Sequence, residues 1–131
     1  MIGVDSSVII DVLRNKSSKN KLEMFANEDF CTSEIVVYEV LCGIYASKQM
    51  TEKQIDDFKA VLDTFLHVFP INRNASEQAA KITGRLSKAG KMIGHSDALI
   101  AGSLLVNGCR NIMTKNVSEF ERIQEIKIIQ Y

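Results

Sequence analysis

Met1-Ile2-Gly3-Val4-Asp5-Ser6-Ser7-Val8-Ile9-Ile10-Asp11 is a short apolar run that ends on a carboxylate and resumes behind two serines. Met1–Val4 is too short and too uniformly apolar for an amphipathic helix, and it reads as a buried strand. Ser6 or Ser7 is the expected cap of a helix running to about Arg14. Asp5 therefore stands where a buried strand stops and a helix begins. In open α/β sheets that junction borders the crevice where ligands and chemistry collect.

Working outward, the pattern alternates. Asn15–Asn20 is polar and turn-like, Lys21–Asn27 reads as a helix, and Phe30–Ser33 as a second strand. Ser33 is placed to cap a helix reaching about Ser47. Thr51 and Gln54 have the spacing of a capping box, ahead of apolar positions Ile55, Phe58, Leu62 and Phe65. His67–Ile71 is a third strand, with Pro70 marking a sheet edge or a strand end. Helices follow over Asn74–Lys88, stopped by Gly90, and over Ser96–Asn107, stopped by Gly108. Asn111–Thr114 and Lys127–Ile129 complete five strands. Strands alternating with helices imply parallel βαβ units, hence an α/β fold: a three-layer α/β/α sandwich around a central parallel sheet. With no repeat and no linker, residues 1–131 are expected to form a single domain.

Composition narrows the functional classes. Acidic and basic residues balance at 16 each, so no global field draws the chain to nucleic acid or to an anionic membrane. Nucleic-acid binding would need a local basic patch. Cys31, Cys42 and Cys109 have no metal-ligand spacing and read as reduced, buried thiols of a cytoplasmic protein. There is no signal-peptide pattern and no apolar stretch long enough to span a bilayer.

Two further acids sit where acids are costly. Glu39 lies inside Val36-Val37-Tyr38-Glu39-Val40-Leu41, an apolar helical run in which an ionised group needs a partner. Asp97 opens the apolar helix Ala98-Leu99-Ile100-Ala101, a position the helix dipole favours on its own. Met113-Thr114-Lys115-Asn116-Val117-Ser118-Glu119-Phe120 follows the fourth strand, and turn chemistry alone accounts for much of it. Asn116 could lend an amide oxygen there, Thr114 a hydroxyl and Glu119 another carboxylate. Asp5 and Thr114–Asn116 fall at strand carboxyl ends, with Asp97 near the same rim. Three carboxylates converging in one crevice repel one another, and oxygen-only ligands without His or Cys suit Mg2+ or Mn2+.

In this order, Asp5-Ser6-Ser7, then Ser33 to Gly43 with Glu39, then Asp97-Ala98-Leu99-Ile100-Ala101, then Thr114-Lys115-Asn116 with Glu119-Phe120, the chain resembles the PIN-domain ribonucleases. More narrowly it is similar to the VapC-type toxins of toxin–antitoxin pairs. The resemblance implies metal-dependent cleavage of RNA phosphodiester bonds that inhibits translation, homodimers, and a cognate VapB-like antitoxin. By position, Asp5, Glu39 and Asp97 would form the metal site, and Asn116 its weaker fourth corner. Ser7 would support the first Asp, and Thr114 would match the hydroxyl near the fourth position. Lys88 and Lys91, with Arg85 a turn earlier, form a small basic cluster ahead of Gly94–Asp97, and Lys115 adjoins Asn116; these are candidate phosphate contacts. Apolar residues around Tyr38–Tyr45 and Ile55–Phe65 are expected to offer a partner surface for an antitoxin helix.

The rival reading is a non-catalytic α/β module that binds a protein or a nucleotide, with Asp5 a receiver-like acid and the other acids as caps. A phosphatase of the haloacid-dehalogenase type is disfavoured because Ser7 stands where that chemistry wants a second Asp. No glycine-rich phosphate loop is present.

Overall fold

Five short strands form one wholly parallel sheet in the computed structural model of the chain: β1 (Ile2–Val4), β2 (Phe30–Ser33), β3 (His67–Phe69), β4 (Asn111–Met113) and β5 (Lys127–Ile129). Their order is β3-β2-β1-β4-β5. The structure describes residues 1–14, 23, 27–64 and 67–131. Most of the helix expected over Lys21–Asn27, the Asn15–Asn20 turn and Phe65 lie outside the described residues.

β1 is central and buried throughout: Ile2 and Gly3 pair with β2 on one side, and Ile2, Gly3 and Val4 with β4 on the other. The buried Thr32 hydroxyl donates to the Val4 carbonyl at 2.8 Å. Gly3 lacks a side chain where a Cβ would lie 2.7 Å from Leu104 Cδ1. β3 is an edge strand ending just before Pro70, where a missing N–H costs nothing.

The helices are α1 (Ser6–Arg14), α2 (Glu34–Ala46), α3 (Glu52–Thr64), α4 (Arg73–Lys88), α5 (His95–Val106) and the single turn α6 (Val117–Phe120). With the right hand that parallel crossovers take as a rule, α1–α3 fall on one face of the sheet and α4–α6 on the other; α1 contacts α2 and α3, α4 contacts α5, α5 contacts α6, and α2 also meets α5. This is the expected three-layer sandwich. Ser33 caps α2, its hydroxyl accepting from Ile35 N at 3.2 Å. Thr51 and Gln54 close a reciprocal box, with bonds of 3.3 and 3.0 Å. α4 and α5 end in Schellman turns on the left-handed Gly90 (φ 68°) and Gly108 (φ 80°).

Burial corrects two expectations. Cys31 and Cys109 are buried free thiols, but Cys42 is exposed because α2 turns Tyr38, Cys42 and Tyr45 outward together. Conversely, Ile55 and Phe58 of α3 are buried in the core, while Tyr38 and Tyr45 of α2 are exposed.

Candidate active site

The strand order reverses beside β1: the chain leaves it first towards β2 and β3, then returns to β4 on the other side. At such a switch point the loops diverge and a crevice opens at the carboxyl ends. Asp5 follows β1 and Thr114 follows β4, so both border it.

Asp5 is 4% exposed and caps α1 itself: Val8 N donates to its Oδ1 at 3.3 Å, and Ile9 N to its carbonyl at 3.3 Å. The cap was expected at Ser6 or Ser7. Asp5 takes that place because its carboxylate also sits favourably at the positive end of α1. Ser7 Oγ donates to Asp5 Oδ1 at 2.5 Å, and Thr114 Oγ1 donates to Oδ2. Both hydroxyls also accept, Ser7 from Lys115 N at 3.0 Å and Thr114 from Asn116 N at 2.8 Å. Ser7 and Thr114, candidates for substrate binding, thus direct their hydroxyl protons at the acid. Burial pushes the Asp5 carboxyl above its ordinary range, and the Ser7 and Thr114 hydrogen bonds pull it back.

Glu39, half-buried on α2, is satisfied by a neutral partner: Ser6 Oγ donates to its Oε2 at 2.5 Å. Sequence reading gave Ser6 only a capping role. Its adjacency to Asp5 was the available signal, but nothing local indicates that it meets a residue 33 positions away.

Asp97 occupies the third position of α5 after the Gly94 cap. Asn116 Nδ2 donates to its Oδ2 at 3.1 Å. Asn116 therefore offers Asp97 a donor, where the sequence suggested an oxygen ligand; an ionised carboxylate attracts the amide N–H. Glu119 Oε2 accepts from Gly94 N at 3.2 Å, serving the helix end for which Gly94 has no side chain. Burial, followed by the charges of Glu119, Glu39 and Asp5, pushes Asp97 up to about 6, against the pull of Asn116. Those charges identify the four acids as one electrostatic group.

The basic candidates separate. Lys88 and Lys91 are exposed. Arg85, their supposed companion, grips Glu125 with two bonds of 2.6 and 2.7 Å. The Lys115 ammonium lies 2.8 Å from Asp11 Oδ1 and 5.6 Å from the centre of the Tyr131 ring.

Among the described residues, no three His, Cys, Asp or Glu side chains stand close enough to chelate an ion directly. Asp5, Glu39, Asp97 and Glu119 nevertheless share one crevice, and none takes part in an ion pair found among the described residues. An open ring of hard oxygens with uncompensated charge fits Mg2+ or Mn2+, ions that keep several of their waters and need few protein ligands. It does not fit a softer metal.

The family model of the PIN domain matches residues 2–126. No curated protein matches the chain by sequence. Among solved structures, a chain of VapBC2 from Rickettsia felis bound to a promoter DNA fragment is similar with a TM-score of 0.87 at 22% identity, over 100% of this chain and 99% of that one. DNA-bound VapBC from Salmonella typhimurium gives 0.85 at 24% identity, over 98% and 96%. VapBC-1 from nontypeable Haemophilus influenzae gives 0.81 at 25% identity, over 99% and 98%. The fold is shared throughout, and with the family model spanning residues 2–126 the chain belongs to the PIN-domain family.

Proposed function

We propose that this protein is a divalent-cation-dependent endoribonuclease and the toxin of a toxin–antitoxin pair, acting in the cytoplasm to inhibit translation. The observation that carries the reading is the convergence of Asp5, Glu39, Asp97 and Glu119 at the sheet's switch point, where burial first and the charges of the other three acids second push Asp97 up to about 6. Similarity to VapBC proteins supports the pairing with an antitoxin.

In this reading Asp5, Asp97 and, directly or through water, Glu39 hold Mg2+ or Mn2+. The ion when bound supplies charge neutralisation for the phosphodiester and makes a water nucleophilic. Ser7 and Thr114 hold both Asp5 oxygens in one orientation, so the carboxylate needs no rearrangement. Asn116 orients Asp97 in the same way. Lys88 and Lys91 are exposed cations available to RNA phosphates. The antitoxin segment docks on the outward face of α2, where Tyr38 is 66% and Tyr45 59% exposed, beside a cleft of about 180 Å³ lined by Ile10, Leu13, Val40 and Ile44. A second copy of the chain completes a homodimer.

RNA incubated with Mg2+ or with EDTA, followed by end-mapping of fragments, tests the chemistry. Cleavage is expected only with the ion, and Asp5→Asn or Asp97→Asn should lower it by at least about a hundredfold while circular dichroism stays unchanged. Full activity in either variant would overturn the assignment and favour the binding-module reading.

A further inference from the structure

Lys115 is the one residue of the turn after β4 that reaches away from the acids. Its two ends are both tied to α1. The Lys115 amide donates to Ser7 Oγ at 3.0 Å, and its ammonium lies 2.8 Å from Asp11 Oδ1. The other Asp11 oxygen, Oδ2, accepts from the Tyr131 hydroxyl at 2.6 Å, and the Tyr131 ring lies 5.6 Å from the ammonium. Asp11 thus bridges a cation and a phenol that are also in contact with each other.

The residues on either side of Lys115 are Thr114 and Asn116. Thr114 donates to Asp5 Oδ2, and Asn116 donates to Asp97 Oδ2 at 3.1 Å. Any rotation of the turn about α1 therefore moves one donor of each acid. An isolated exposed ion pair would be worth too little to hold such a turn. Here, however, the Asp11 side chain is only 25% exposed and is fixed from its other side by Tyr131, so the pair is ordered before Lys115 joins it.

We propose that Asp11, Lys115 and Tyr131 form a clamp that seats the β4–α6 turn on α1 and so positions Asp5 and Asp97. They are positioning residues, and Lys115 serves the turn rather than a substrate phosphate. The effect on the ion rests on the reading of the crevice as a cation site; the effect on the turn does not.

Two measurements separate these parts. In metal-free protein, hydrogen exchange of the Lys115 and Asn116 amides is compared among wild type, Asp11→Asn, Tyr131→Phe, Lys115→Met and Lys115→Arg. Mn2+ affinity is then measured by calorimetry on the same set. Lys53→Met serves as control, because it removes an exposed 2.7 Å ion pair with Asp57 on α3, away from the crevice. Asp11→Asn and Lys115→Met should speed both amides and weaken Mn2+ binding by about tenfold, the scale on which groups that orient metal ligands act. Tyr131→Phe should do so to a lesser extent, and Lys115→Arg should restore both. The double variant Asp11→Asn/Lys115→Met should be no worse than either single one. Unchanged exchange, additive losses, or faster exchange with Mn2+ affinity held at the wild-type value would each overturn the clamp. If wild type bound no Mn2+, the cation reading would fail, and the seating of the turn would stand or fall on the amide exchange alone.

Discussion

Asp97 carries opposing demands on a single carboxyl group. Its place in the first turn of α5 favours the charge, while burial and three neighbouring acids disfavour it, leaving the group at about 6 against an ordinary value of 3.8. The sign follows from linkage. Between about pH 4 and pH 6 the folded chain retains a proton that the unfolded chain has released, so this carboxyl makes stability fall as pH rises through that window and level off above it. Asp97→Asn, which cannot ionise, should flatten the trend. Allowing for solvent screening of a half-buried group, the variant should gain about 1–2 kcal/mol on wild type between pH 4 and pH 7, read from urea unfolding. Identical pH trends would exclude the effect. Asp5, Glu39 and Asp97 stand out in the sequence as candidates because each lies at a strand end or on an apolar helix. Their partners do not. Ser6, Ser7 and Thr114 are ordinary helix-start and strand-end residues until folding brings Glu39 and Asp5 within reach of their hydroxyls. Lys115 was hard to read for the same reason: adjacency to Asn116 suggests a phosphate ligand, and nothing local shows that its side chain meets Asp11.

At the level of elements, α5 delivers Asp97, and its height above the sheet is set by contact with α4. Gly102 makes that contact possible, since a Cβ there would lie 2.6 Å from Ala75 O and 2.8 Å from Ala79 N, both backbone atoms of α4. Gly102→Ala should therefore force the helices apart and cost about 1–3 kcal/mol, measured by thermal or urea unfolding. It should also reduce RNA cleavage, because Asp97 moves with its helix. Unchanged stability would mean that α4 yields without cost. Helix and strand limits were largely readable from caps and glycines: Ser33, Thr51, Gly90 and Gly108 act as their residue types dictate. The faces of the helices were harder to read. α2 is apolar on nearly every side, so nothing local distinguished the stripe of Tyr38, Cys42 and Tyr45, which faces outward, from that of Val36 and Val40, which is buried.

For the molecule as a whole, the proposed cation site should couple ion binding to folding. Mg2+ at about a hundredfold above its dissociation constant should add about 2.7 kcal/mol, a rise of several degrees in Tm. Asp5→Asn should abolish the shift, and an equal shift in that variant would place the ion elsewhere. Tyr38→Glu with Tyr45→Glu should weaken a co-expressed antitoxin by about a hundredfold, read as loss of the co-purified complex, and leave RNA cleavage by the isolated protein intact. Retention of the complex would move the docking face off α2. The sheet order has a further consequence, in time rather than in space. β1 is made first but lies between β2 and β4, and Asp5 receives its second hydroxyl from Thr114, 109 residues downstream. Contacts of such long range form late in folding. During synthesis, an N-terminal segment already carrying Asp5 and Glu39 still lacks Asp97 and the turn that seats it. The crevice is complete only after residue 116 has left the ribosome, so on the proposed function the nascent chain would be inactive until then, and an antitoxin would have that time to arrive.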